Sequence, residues 1–212
     1  MPRRTTDPLT EKTFFSQHDP AILRVLRRAC VGIAGAGGLG STAAVALARA
    51  GVGRLLIADF DRVSASNLNR QQFFRDQIGM TKIHALLENL SRINPFCEYV
   101  GSEARITPRN TARLFGEADV MIEAFDKAAE KQRLIETWLR LFPERPIIAA
   151  SGLAGIGGNA RIRQRRVGSL YICGDEETDL RKGVSPLAPR VGIVACMQAN
   201  LAIELLVRAA GP

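Results

Sequence analysis

Apolar positions along the chain fall into short unbroken runs and longer runs with helical spacing. Residues 30–35 form an apolar run closed by glycine, and residues 54–59 form another that ends in aspartate. Runs of this length without alternation suit strands buried on both faces. Residues 119–123 and 146–150 repeat the pattern, and residues 98–104 predict a further strand. Helical spacing lies between them. Asp19 and Pro20 offer a cap and a first-turn proline for a helix reaching about residue 28. Residues 41–50 are alanine-rich, and residues 80–92 put Ile83, Leu86, Leu87 and Leu90 on one face. Thr107 and Pro108 predict the cap of a helix running to Phe115, and residues 130–141 turn Leu134, Ile135, Trp138 and Leu139 inward.

Strand and helix in alternation predict an α/β fold, a doubly wound and mainly parallel Rossmann-like sheet. The pattern changes after Ser151. Residues 159–166 and 169–173 predict a short antiparallel extension around a turn at Gly168, and residues 189–209 a buried C-terminal helix. Residues 1–18 read as an arm, poorly ordered or loosely docked, and residues 19–212 as one domain.

The chain has 212 residues, 46% of them hydrophobic and 24% charged, enough for one sizeable core. No stretch reaches the roughly 20 apolar residues that span a bilayer. The uncharged residues 191–203 fit a buried helix, and the polar N-terminus lacks a signal peptide's apolar core. A cytoplasmic location is expected. The 4 cysteines, Cys30, Cys97, Cys173 and Cys196, form no close pair, so no zinc site is expected, and Cys30 and Cys196 read as core residues. A net charge of +8 suits a nucleotide, a nucleic acid or an acidic protein. Aromatic residues, at 6%, do not interleave with the basic ones, which argues against nucleic acid.

Candidate chemistry begins at Gly35, Gly37, Gly38 and Gly40, on the first strand-to-helix turn. The first glycine allows a tight turn, the second a close approach to phosphate, and the last close packing of helix on strand. Asp59 ends the second strand, where a carboxylate can accept from ribose hydroxyls. These features alone would also serve an NAD-dependent oxidoreductase. The polar loop that follows, with Asp61, Asn67, Arg70 and Gln71, suits a triphosphate better, because charge builds on departing pyrophosphate. Lys82 near the start of the next helix opposes the helix dipole unless it meets an anion there. Asp126 follows the strand at residues 119–123, where a lone carboxylate beside phosphates suits Mg²⁺ or caps the next helix.

Taken together, Gly35-x-Gly37-Gly38-Leu-Gly40, the run from Asp59 to Gln71 containing Ser66-Asn67-Leu68-x-Arg70, Gly79-x-x-Lys82 and Asp126 resemble the ThiF/MoeB/HesA family. That family is similar to the adenylation domains of ubiquitin-activating enzymes, and residues 187–199 are similar to its closing helix. The resemblance implies that the glycine turn cradles ATP, that Asp59 binds ribose, and that Asn67, Arg70, Gln71 and Lys82 contact phosphates. It implies Mg²⁺ at Asp126 and a small ubiquitin-like sulfur-carrier protein as substrate, its C-terminal diglycine carboxylate becoming an acyl-adenylate. A homodimer is implied as well. The chain departs from many relatives in lacking zinc-binding cysteine pairs, in having Lys127 where asparagine is frequent, and in lacking the arginine they carry before the glycine turn. Arg3, Arg4 and Arg24 are the candidates to replace that arginine. The compact, zinc-free form resembles ThiF-like proteins of thiamine biosynthesis. MoaD activation, tRNA dehydration and a non-catalytic nucleotide-binding scaffold stay as alternatives.

Two segments have competing readings. Cys173 is a thiol in an expected loop, a candidate for holding sulfur, yet its neighbours Asp175, Glu176 and Glu177 are acidic and disfavour a thiolate. Residues 161–166 alternate arginine along a strand, which reads as a solvated edge or as a dock for an acidic carrier.

Overall fold

Residues 9–178 and 184–211 are described by a computed structural model. Among the described residues, seven strands form one sheet: β1 Cys30–Ala34, β2 Arg54–Asp59, β3 Glu98–Glu103, β4 Val120–Glu123, β5 Ile147–Ala150, β6 Arg163–Val167 and β7 Leu170–Gly174. Their order is β3-β2-β1-β4-β5-β7-β6, parallel throughout except for β6 against β7. Every residue of β1, β4 and β5 is buried, which is why those strands read as unbroken apolar runs.

Helices cover both faces: α1 Glu11–Phe14, α2 Pro20–Leu26, α3 Gly38–Ala50, α4 Lys82–Ile93, α5 Thr111–Phe115, α6 Ala128–Leu141 and α7 Ala188–Ala209. One core lies under α3, α4 and α7, with Leu47, Leu86 and Val194 inside it. The other lies under α5 and α6, around Phe115, Leu134 and Trp138. The alanine-rich face of α3 lets α7 pack closely along it.

Some boundaries differ from expectation for local reasons. α5 starts at Thr111, because the Asn110 side chain accepts from the Thr107 N–H at 2.7 Å and closes a turn first. β6 and β7 are antiparallel around Gly168 as expected, β7 also pairs parallel with β5, and residues 159–161 form a 3-10 turn ahead of β6. Residues 9–18 are largely exposed and touch the domain through a few side chains. Thr10 caps α1, Phe15 is buried beside Phe14, and Glu11 meets Arg27 at 2.6 Å. Residues 1–8, with Arg3 and Arg4, lie outside the described residues. Cys30 is buried as expected, but Cys196 faces outward on α7.

Candidate active site

The strand order reverses between β1 and β4: the chain runs outward from β1 to β3 in one direction and from β4 to β7 in the other. Loops leaving the carboxyl ends of β1 and β4 therefore part, and a crevice opens between them. A cavity of about 600 Å³ lies there. Gly35, Gly37, Gly38, Asp59, Asp61, Arg70, Gln71, Lys82 and Asp126 all line it.

Each glycine of the turn meets a different demand. Gly35 has φ +102°, a left-handed conformation that side chains rarely adopt. A Cβ at residue 40 would fall 1.8 Å from the Gly35 carbonyl oxygen, so α3 packs on the turn only with glycine there. Gly40 therefore works behind the cavity rather than on its wall. Residue 37 has open space in front of it, the nearest atom to a Cβ being Gln71 Nε2 at 3.9 Å. Here backbone can approach a ligand, and the N-terminus of α3 adds its unpaired N–H groups.

Asp59 is nearly buried. One oxygen accepts from the Ala36 N–H at 2.6 Å and the other from the Asp61 N–H at 2.8 Å. The carboxylate thus ties the glycine turn to the loop after β2, and its remaining lone pairs stay free for ribose hydroxyls. Lys82 starts α4 and is only 6% exposed. Its ammonium lies 2.9 Å from Asp61 Oδ2, so the charge is held at the cavity wall against the local dipole. Arg70 donates to the Ser66 carbonyl at 3.1 Å and to Asn69 Oδ1 at 2.8 Å, with donors left over. Gln71 is buried, and its Oε1 has no hydrogen-bond partner among the described residues.

Asp126 makes no hydrogen bond or ion pair among the described residues, and Lys127 takes the cap position of α6. The helix-cap reading of Asp126 is thereby set aside. Its bare carboxylate fits a single divalent cation shared with phosphate oxygens, and no cluster of three or more potential metal-ligating acids, cysteines or histidines exists among the described residues. Asn67 is not on the wall. Its side-chain oxygen accepts from the Ser64 N–H at 3.0 Å and closes a 3-10 turn, a structural task that supports Arg70 and Gln71.

Cys173 corrects the loop reading. It sits inside β7, fully buried and off the cavity, and burial pushes its thiol up to about 12. A neutral, enclosed thiol does not handle sulfur. Arg24 is exposed on α2 and does not line the cavity. β6 is exposed along its whole length, the solvated edge strand of the sheet, with Arg165 in a pair with Glu176 at 2.6 Å.

Several wall residues escaped the motif reading. Phe60, 50% exposed, lies under the Arg105 guanidinium, whose carbon is 4.0 Å from the ring centroid. The signal was an aromatic between two acids at a strand end. Lys131 also lines the cavity, and it pairs with Glu123, which is wholly buried and off the wall. Burial pushes the Glu123 carboxyl above its ordinary value, and the nearby ammonium opposes that. The loops at residues 151–154 and 176–178 form the far wall.

A ThiF family model matches residues 10–212 of the chain. The chain belongs to the ThiF family. Among curated ThiF relatives, "Adenylyltransferase and sulfurtransferase uba4" of Emericella nidulans is 33% identical over 198 residues, 87% of this chain and 41% of that protein. "Adenylyltransferase and sulfurtransferase MOCS3" of Anopheles gambiae is 33% identical over 149 residues, 70% of this chain and 33% of that one. The chain thus spans less than half the length of these relatives. Among solved structures, the E. coli tRNA N6-threonylcarbamoyladenosine dehydratase TcdA in complex with AMP aligns with a TM-score of 0.84. It is 22% identical and covers 94% of this chain and 95% of its own. E. coli MccB with ATP aligns at 0.68, with 19% identity, 89% of this chain and 58% of its own. At these identities the likeness is one of fold, the Rossmann-like ThiF architecture.

Proposed function

We propose that this ThiF-family chain is a nucleotidyltransferase that adenylates the C-terminal carboxylate of a small ubiquitin-like carrier protein. The observation that carries the reading is the meeting of Arg70, Gln71 and Lys82 with Asp59 and Asp126 around one cavity beside the glycine turn. Gly37 and the α3 N-terminus cradle the phosphates of ATP, and Asp59 holds the ribose. The carrier carboxylate attacks the α-phosphorus; a carboxylate–phosphorus bond forms and the bond to pyrophosphate breaks. No general base is needed, because the carboxylate is already ionised at neutral pH. Arg70 and Lys82 neutralise charge on the departing pyrophosphate, the larger part of catalysis in a site with no proton to move. Asp126 would hold Mg²⁺, directly or through water, and the ion would supply further neutralisation of the phosphate oxygens.

The curated relatives' names describe adenylyltransferases and sulfurtransferases, and solved ThiF-fold neighbours include complexes with ATP and AMP. Both support ATP as the nucleotide. A carrier of the thiamine pathway is the narrower reading that the compact zinc-free form suggests; the names uba4 and MOCS3 do not mention thiamine. A homodimer in the cytoplasm is the setting that fits the resemblance. Dehydration of a tRNA-borne carboxylate is a second reading, favoured by the end-to-end match with TcdA.

ATP–pyrophosphate exchange tests the proposal. Exchange with Mg²⁺ that appears only with a diglycine-tailed carrier supports it, and exchange elicited by tRNA instead favours the second reading. Tight NAD binding without ATP binding, or nucleotide binding without exchange for any carrier, overturns it in favour of an oxidoreductase or a scaffold.

A further inference from the structure

A buried ion pair lies beside the far wall of the cavity. Arg190, in the first turn of α7, is 4% exposed, and Asp175, just after β7, is 1% exposed. The Arg190 guanidinium donates to Asp175 Oδ2 and to the Gly157 carbonyl. The other carboxylate oxygen accepts from the Glu177 N–H at 3.0 Å, the Thr178 N–H at 2.8 Å and the Thr178 hydroxyl at 3.0 Å. Burial alone would push the Asp175 carboxyl up; those donors and the Arg190 charge more than reverse it and hold it below its ordinary value. The same aspartate meets the loop after β5. Its N–H donates to the Gly152 carbonyl at 3.1 Å, and a Cβ at residue 152 would fall 1.9 Å from its Oδ1.

The two loops are joined by main-chain bonds from Asp175 to Gly152 and from Glu176 to Ser151, and the Asp175 carboxylate fastens them to α7. Both contribute to the cavity, through Gly152 and Leu153 on one and Glu177 and Thr178 on the other. They lie over β5 and β7, whereas the glycine turn and Asp59 lie over β1 and β2. A nucleotide on the β1–β2 side leaves this half for the acyl substrate.

We propose that Asp175 and Arg190 are a positioning pair that sets the shape of the acyl-substrate half of the cavity and leaves the nucleotide half unaffected. The assignment of the two halves rests on the adenylation reading above. A buried carboxylate with both oxygens accepting and a buried guanidinium at a helix start are costly groups to retain in a region that packing alone could fill. Their placement beside the cavity gives them a task that apolar residues would not perform.

The test compares the full chain with Asp175→Asn, Arg190→Met and Arg190→Lys. The readouts are ATP affinity, exchange kinetics against carrier, and hydrogen–deuterium exchange at the Glu177 and Thr178 amides. Asp175→Asn and Arg190→Met are expected to keep ATP affinity within about twofold and to raise the carrier KM at least tenfold. The same two amides exchange at least tenfold faster, and Arg190→Lys recovers part of each change. An unchanged carrier KM overturns the proposal, and so does ATP affinity that falls in step with it. If the wild type shows no exchange with any carrier, the adenylation reading fails, and the pair is then judged on the amides and ATP affinity alone. Faster amide exchange with ATP affinity unchanged sustains it; unchanged amides overturn it. If all three variants fail to fold, the pair is structural and the proposal falls.

Discussion

The Lys82 ammonium lies 2.9 Å from Asp61 Oδ2, yet the lysine side chain is 8% exposed and the aspartate 50%. The pair is therefore lopsided. Removing the lysine leaves an aspartate that water can solvate, whereas removing the aspartate strands a charge in the protein. Asp61→Asn is expected to lower the melting temperature more than Lys82→Met does. In exchange assays Lys82→Met is expected to cost about 100-fold or more in kcat, the scale of a lost charge-stabilising donor. A Lys82→Met enzyme with unchanged kcat would remove Lys82 from the site.

Gly37 and Gly40 separate function from folding within four residues. Residue 37 faces open space, so Gly37→Ala folds normally and loses nucleotide affinity by at least tenfold. Residue 40 meets backbone, so Gly40→Ala is expected to cost several kcal/mol, roughly the scale of severe overpacking, or to give insoluble protein. Thermal melts and ATP titrations on both variants check the contrast; equal melting temperatures would refute it.

Phe60 and Arg105 stack at the mouth of the cavity, close to where Asp59 would hold ribose. Phe60→Ala is expected to raise the KM for ATP by about fivefold to tenfold, equivalent to about 1 kcal/mol of lost ring contact. The carrier KM stays put. A drop in kcat alone would place Phe60 in another role.

Thiol chemistry gives a fold-sensitive readout. Cys196 is exposed and is expected to react with a maleimide at pH 7, while Cys173 is buried with its thiol pushed up to about 12 and stays unmodified until the protein unfolds. Cys173→Ala is expected to retain full exchange activity. Loss of activity in a stable Cys173→Ala protein would restore the sulfur-handling role.

Acid stability follows from Asp175. Its folded carboxyl is held below the ordinary value of 3.8, so its contribution is present above that pH and is lost as pH falls through the lower folded value. Asp175→Asn is expected to be less stable than wild type at neutral pH and to show a shallower decline below about pH 4. Melting temperature against pH measures both, and parallel curves would contradict it.

The buried strands and the glycine turn were legible because burial on both faces and close backbone packing each leave a one-dimensional trace. Arg54–Asp59 stands at its expected bounds for that reason. Asn67 was legible as a polar loop residue, but its task was not, since the same side chain closes a turn or meets a phosphate depending on a partner three residues back. Cys173 was read by its acidic neighbours in sequence, whereas its surroundings come from β5 beside it. The far wall left no trace at all. Asp175 and Arg190 are 15 residues apart, and only the return of α7 onto the sheet brings them together.

That return has a consequence for how the protein comes into being. Gln198, midway along α7, donates from its buried amide to the carbonyls of Glu123 and Ile148, each at 3.0 Å, and so joins the last helix to β4 and β5. Val191, from the same helix, reaches the cavity beside Gly38. Synthesis of all seven strands therefore still leaves one side of the cavity unbuilt, because Val191 takes its place only when α7 has been made and has seated.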